Sequence, residues 1–405
     1  MKTHLPRLRL LPESQLGEDS YHSILISALR GLAALQVAAA HLRAEFFPGL
    51  RSLENPALWY QALSFFTGFA HQAVLVFFLI SGYLVGGSFL NKMAQPDALK
   101  LYAIDRVTRL WTVLVPTFLL IVAFGIVTGA LDARTVDFSS ANPYSVTAFL
   151  GNLAGLQTII VPYFGGNYPL WSLANESWYY LLFPLGVLAV AGAGEVRGAG
   201  SGVQRRALPA LSLLLIAFLL PFNIMLYFSI WLLGAGFSRV RLECNAAVRV
   251  GLLAALVGLS VYLRLTGQTA DMTSESFPGY LVLSVLLALF LSSTIIKPDP
   301  RARLVAQVRA AATFLSNFSF TLYVVHIPVL GMLAWLGVHL FGKSALAADS
   351  VADLGIYMAM LTFVVLFAYG FYRLFEARTY QVRRWLKAML SRTPLPNRRV
   401  APAER

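Results

Sequence analysis

One cysteine, Cys244, stands in a chain of 405 residues. A single thiol excludes an intrachain disulfide framework and a cysteine-rich metal cluster. The six histidines are too dispersed to argue a metal site, so no metal is expected. Charge is scarce: 13% of residues, against about 25% in a soluble globular protein. HExxH, P-loop, GxSxG and glycine-rich dinucleotide motifs are all missing. Those absences remove zinc-protease, nucleotide-hydrolase, α/β-hydrolase and dehydrogenase readings. Internal repeats are also lacking, which counts against an inverted-repeat transporter.

What is present is apolar. Hydrophobic residues make up 58% of the chain and mean hydropathy is +0.67. The expectation is an all-α integral membrane protein, a polytopic bundle of about ten transmembrane helices. The runs read as spans lie at about 23–42, 70–90, 110–131, 171–192, 207–221, 223–238, 247–265, 279–296, 311–340 and 355–376. Pro221-Phe222-Asn223 reads as a tight turn between the two shortest. Residues 146–161 are apolar but short, which fits a re-entrant or interfacial segment.

The net charge of +13 falls between these runs, in clusters over 2–9, 92–109, 197–206, 239–249, 297–309 and 378–405. The positive-inside rule accounts for it, so no nucleic-acid partner is implied. The pattern places both termini in the cytoplasm. It divides the chain into an N-terminal tail (1–22), a membrane domain (23–377) and a basic C-terminal tail (378–405). The first apolar run has no small-residue cleavage site and reads as a retained span.

Ionisable residues inside apolar spans are costly and point to function. Arg30 and His41 lie eleven residues apart in ILISALRGLAALQVAAAHL, on one helical face, roughly 16 Å apart along the axis. Ser81-Gly82-Tyr83 follows in the second span. Its Gly82 permits close approach of a helix or a ligand, and helix packing is the simpler reading. Arg106 and Arg109 share a face at the start of the third span. Arginine forks suit phosphate oxygens, with an interfacial lipid anchor as the plainer alternative. Glu176 sits in NYPLWSLANESWYYLLFPL among Trp171, Ser172, Tyr179 and Tyr180. His41, read at a similar depth, is its expected partner, a pairing that would orient the imidazole as a general base. Tyr323 and His326 share a face in SFTLYVVHIPVL.

Taken together these segments resemble the membrane-bound acyltransferase 3 family, whose members include bacterial O-acetyltransferases of O-antigen and exopolysaccharide. The likeness runs over about residues 20–378. It covers Arg30 and His41 in RGLAALQVAAAH, FFLISGY, DRVTRLWTVLVP, WSLANESWYY, SFTLYVVH and FEARTY. Ala377-Arg378 stands where the family usually has proline after the late glutamate, and Glu376 is read as structural. The resemblance implies transfer of an acyl group, typically acetyl, from cytoplasmic acyl-CoA to a hydroxyl of a cell-envelope or exported glycan. Acyl-CoA is then a co-substrate, with no bound cofactor, and the setting is a bacterial inner membrane among lipid. On this view His41 and Glu176 are catalytic. Arg30, Ser81, Gly82, Tyr83, Arg106 and Arg109 form the donor route. Trp171, Ser172, Tyr179, Tyr323 and His326 support the pocket, with Tyr323 or His326 as oxyanion donor. His41 acts as base or takes the acyl group covalently. The competing reading is a transporter or flippase of a lipid-linked sugar, in which the charges line a path.

Overall fold

The apolar runs fold as helices, and their lengths decide which of them can cross a bilayer. The structure is a computed structural model describing residues 6–14, 20–95, 97–131, 137–191, 204–268, 271–297 and 303–390. Of the basic positions read above, Lys2, Arg197, Arg301 and those beyond 390 lie outside the described residues. In chain order come β1 (Arg7–Leu10), α1 (Tyr21–Phe46), α2 (Leu58–Phe66), α3 (Ala70–Ser81), a π-turn (Gly82–Gly86), α4 (Gly87–Lys92) and α5 (Ala98–Thr128). Then follow α6 (Val146–Leu153), α7 (Leu170–Ala191), α8 (Gln204–Leu219), α9 (Phe222–Phe237), β2 (Val240–Glu243) and α10 (Ala246–Leu265). The chain closes with α11 (Phe277–Ser293), α12 (Arg303–Asn317), α13 (Ser319–Phe341), α14 (Val351–Leu374) and α15 (Thr379–Leu390).

Among the described residues six stretches are long and apolar enough to cross a membrane, which corrects the expected ten. They are Tyr21–Ser52, Leu58–Lys92, Ala98–Thr128, Ala246–Leu265, Ser319–Phe341 and Val351–Leu390. The four other runs fail for physical reasons. Helices α8 and α9 have 16 residues each and α11 has 17, short of the ~20 a bilayer core demands. Helix α7 has 22 residues, but Ser172, Asn175, Glu176 and Ser177 occupy its first half. The run read as 311–340 is also two helices. It breaks at Phe318, whose φ/ψ of −111°/11° leaves the helical region between α12 and α13.

Local chemistry starts the helices where side-chain oxygens are available. Ser20, Ser145, Asn245 and Ser350 cap α1, α6, α10 and α14, accepting from Ser23, Ala148, Val248 and Asp353 amides. Pro221 caps α9 directly after α8, giving the expected turn. The N-terminal segment is held: β1 pairs antiparallel with β2, Arg7 opposite Glu243. Farther along, Ser14 N donates to Asn91 Oδ1 at 3.0 Å and Asn91 Nδ2 returns to the Ser14 carbonyl at 3.1 Å.

The bundle core is apolar and aromatic, with Trp231, Tyr179, Phe78 and Phe118 fully buried. Helix α1 packs against α3, α12, α13 and α14. A close crossing joins the end of α3 and the π-turn to α9. A Cβ on Gly82 would lie 1.9 Å from the Trp231 carbonyl oxygen, and one on Gly234 would lie 2.0 Å from that of Leu79. Two glycines therefore bring two backbones together, and Gly82 serves helix packing.

Candidate active site

Helices α1, α3, α5, α7, α12 and α13, with the π-turn, line a cavity of about 390 Å³. Arg30 enters it from α1, Ser81 from the end of α3, and Arg106 and Arg109 from α5. Helix α7 contributes Ser172, Glu176 and Tyr180, a stripe at four-residue spacing about 12 Å long. Asn317, Ser319, Phe320 and Tyr323 close the remaining wall. Of the residues singled out in the sequence, the fold brings Arg30, Ser81, Arg106, Arg109, Ser172, Glu176 and Tyr323 to one cavity.

Three guanidiniums share this space, and their compensation differs. Arg109 is ion-paired with Glu376, whose side chain is 1% exposed, and lies over the Phe320 ring at 5.1 Å. The same carboxylate accepts from the Thr321 hydroxyl and, at 3.1 Å, from the Thr321 amide. Arg106 stacks over Tyr102 at 5.8 Å and Tyr180 at 5.5 Å. Among the described residues neither Arg30 nor Arg106 forms an ion pair. Asp105, the carboxylate next to Arg106 in sequence, is taken by α15: Lys387 at 2.7 Å and Arg383 at 3.3 Å.

Glu176 is oriented by a directional relay. Trp231 Nε1 can only donate, and does so to Ser81 Oγ at 3.1 Å. Tyr180 gives its proton to Glu176 Oε1 at 2.5 Å. Ser81 Oγ, 3.4 Å from the Tyr180 oxygen, therefore donates to it. The expected contact of Glu176 with His41 is not the one made. Glu176 sits at the arginine level of the cavity, bonded to Tyr180.

His41 instead meets His326, with Nδ1 and Nε2 2.8 Å apart and rings 16° from parallel. His326 is fully buried. Neither lines the cavity. Between them and it stands Tyr323, whose ring lies 5.9 Å from that of His326. The Tyr323 hydroxyl donates to the Pro169 carbonyl at 2.9 Å and meets Ser172 Oγ at 2.6 Å.

Other predicted positions fall elsewhere. Tyr83 turns away against His22, with ring centroids 4.7 Å apart. Trp171 and Tyr179 pack behind Phe78 in the core. Residues not singled out in the sequence include Trp231, Asn317 and Phe320. The polar break SNFS inside an apolar run was the available signal for the last two.

A family profile described as an acyltransferase domain matches residues 24–373. The chain belongs to the acyltransferase 3 family. No curated protein and no solved structure matches it. Family membership and the six apolar spans make this a polytopic membrane protein of acyltransferase type. In this acyltransferase 3 member the matched region begins inside α1 and ends in α14, so it takes in the whole cavity and both histidines.

Proposed function

We propose that this chain is a membrane-embedded O-acyltransferase that moves an acetyl group from acetyl-CoA to a hydroxyl of a cell-envelope or exported glycan. The observation that carries the reading is a cavity lined by two arginines that form no ion pair among the described residues, which stops at Tyr323, one helical turn from His326 and its partner His41. Coenzyme A brings phosphates, which arginine forks bind with charge-assisted hydrogen bonds. Its pantetheine arm is thin enough to follow the α7 stripe, and about 390 Å³ lies within the usual size range of ligand sites. The basic clusters favour donor entry from the cytoplasm of a bacterial inner membrane, with both termini on that side.

On this reading the reaction is base-assisted acyl transfer. His41 takes the proton of the acceptor hydroxyl. The hydroxyl oxygen bonds to the thioester carbonyl carbon, the C–S bond breaks, and its electron pair leaves on sulfur. The proton on His41 then passes to that thiolate, restoring the base.

The test uses purified full-length protein in lipid with labelled acetyl-CoA and a panel of glycan acceptors. Wild type transfers label. Arg106→Ala raises the donor KM on the order of tenfold while kcat changes little, because one charge-assisted contact to donor is lost. Absence of any donor binding or consumption would favour the lipid-linked sugar transporter, and an unchanged KM would return Arg106 to the role of lipid anchor.

A further inference from the structure

We infer that His326 is the positioning residue that fixes the tautomer of His41, leaving Nε2 of His41 as the basic nitrogen. The inference rests on the acyl-transfer reading, and it moves the orienting role away from Glu176.

The argument is one of donors and acceptors. His326 Nδ1 lies 3.2 Å from the Leu322 carbonyl oxygen, one turn back on α13. A carbonyl only accepts, so Nδ1 carries a hydrogen. His326 is fully buried, and among the described residues no carboxylate pairs with either histidine. A neutral ring with hydrogen on Nδ1 has its lone pair on Nε2. That nitrogen faces His41 Nδ1 at 2.8 Å, so His41 Nδ1 is the donor. Neutral His41 then keeps its lone pair on Nε2. The reverse direction would make His326 a buried cation with no counter-ion, which is costly.

The arrangement has the logic of a base held by a second group that accepts from its other nitrogen. Here the orienter is a neutral imidazole, itself aimed by the helix backbone. When His41 takes the acceptor's proton on Nε2, its Nδ1–H bond to His326 strengthens, and the ring cannot rotate to offer the wrong nitrogen. Glu176, by contrast, is already bonded to Tyr180 in the cavity.

Two substitutions separate orientation from packing. His326→Gln keeps an acceptor near the Nε2 position, whereas His326→Asn keeps the reach of Nδ1 and loses the bond to His41. In the labelled acetyl-CoA assay His326→Asn should lower kcat roughly 10²-fold with an unchanged donor KM. His326→Gln should recover activity to within about tenfold of wild type. Equal activity of His326→Asn and wild type would overturn the inference, as would equal loss in both variants. A measurement on wild type alone needs no variant to fold: ¹⁵N-histidine solid-state NMR of the protein in lipid. It should find the His41 hydrogen on Nδ1, and a hydrogen on Nε2 would overturn the inference. That spectrum also keeps two failures apart. Wild type that transfers no acyl group sinks the proposed function, while the tautomer result stands or falls by itself.

Discussion

His41→Ala should abolish acyl transfer, lowering kcat by a factor on the order of 10²–10⁴, while the protein stays folded and still binds acetyl-CoA. The size follows from the chemistry. A sugar hydroxyl is a poor nucleophile until its proton is taken, and the other groups near Tyr323 are committed elsewhere. The Tyr323 proton goes to Pro169, and the His326 Nδ1 proton goes to Leu322. Donor affinity should survive because His41 does not line the cavity. Folding should survive because His41 is only partly buried and its bonded partner keeps its own backbone contact. Wild-type rates in His41→Ala would remove the base from the mechanism. Labelled acetyl recovered on His41 of wild type after a donor-only incubation would assign transfer to a covalent intermediate instead.

Glu376→Ala should destabilise the protein by roughly 3–5 kcal/mol, the usual cost of removing one partner from a buried ion pair. Arg109 would be left without its carboxylate beside the hydrophobic Phe320 ring, and the Thr321 hydroxyl and amide would lose their acceptor. Arg109 is 29% exposed at its side chain, so water and the cavity offset part of the loss and favour the lower end of that range. Glu376→Gln should cost less, since it keeps an acceptor for Thr321. Thermal unfolding in detergent with both variants checks this. Equal melting of wild type and Glu376→Ala would mean that the network carries no stability.

These two residues mark where the sequence was readable and where it was not. Arg30 and His41 lie on one continuous helix, as their spacing implied, because an unbroken apolar run fixes helical geometry without tertiary help. Arg106 and Arg109 likewise reach one cavity, since three-residue spacing places them on one face. Depth was the failure. Span counting puts Glu176 at the depth of His41, but its helix α7, polar in its first half, is not among the six long apolar stretches of the described residues, and the carboxylate bonds Tyr180 instead. Partners distant in sequence were beyond reach for another reason. Glu376 binds Arg109 across 267 positions and His326 meets His41 across 285, and only packing of α5 and α13 against other elements creates those pairs. Gly82 was ambiguous because a close backbone approach serves a ligand and a helix equally. The Trp231 carbonyl opposite it decided for the helix.

The central claim is that the arginine-lined cavity is the donor's route to His41. The most direct measurement is an experimental structure of the full-length protein in lipid with a non-transferable thioether analogue of acetyl-CoA. The account predicts phosphate density against Arg106, the pantetheine arm passing Arg30 and Glu176, and the carbonyl group ending beside Tyr323. An analogue held elsewhere, with the cavity unfilled at saturating concentration, would contradict it.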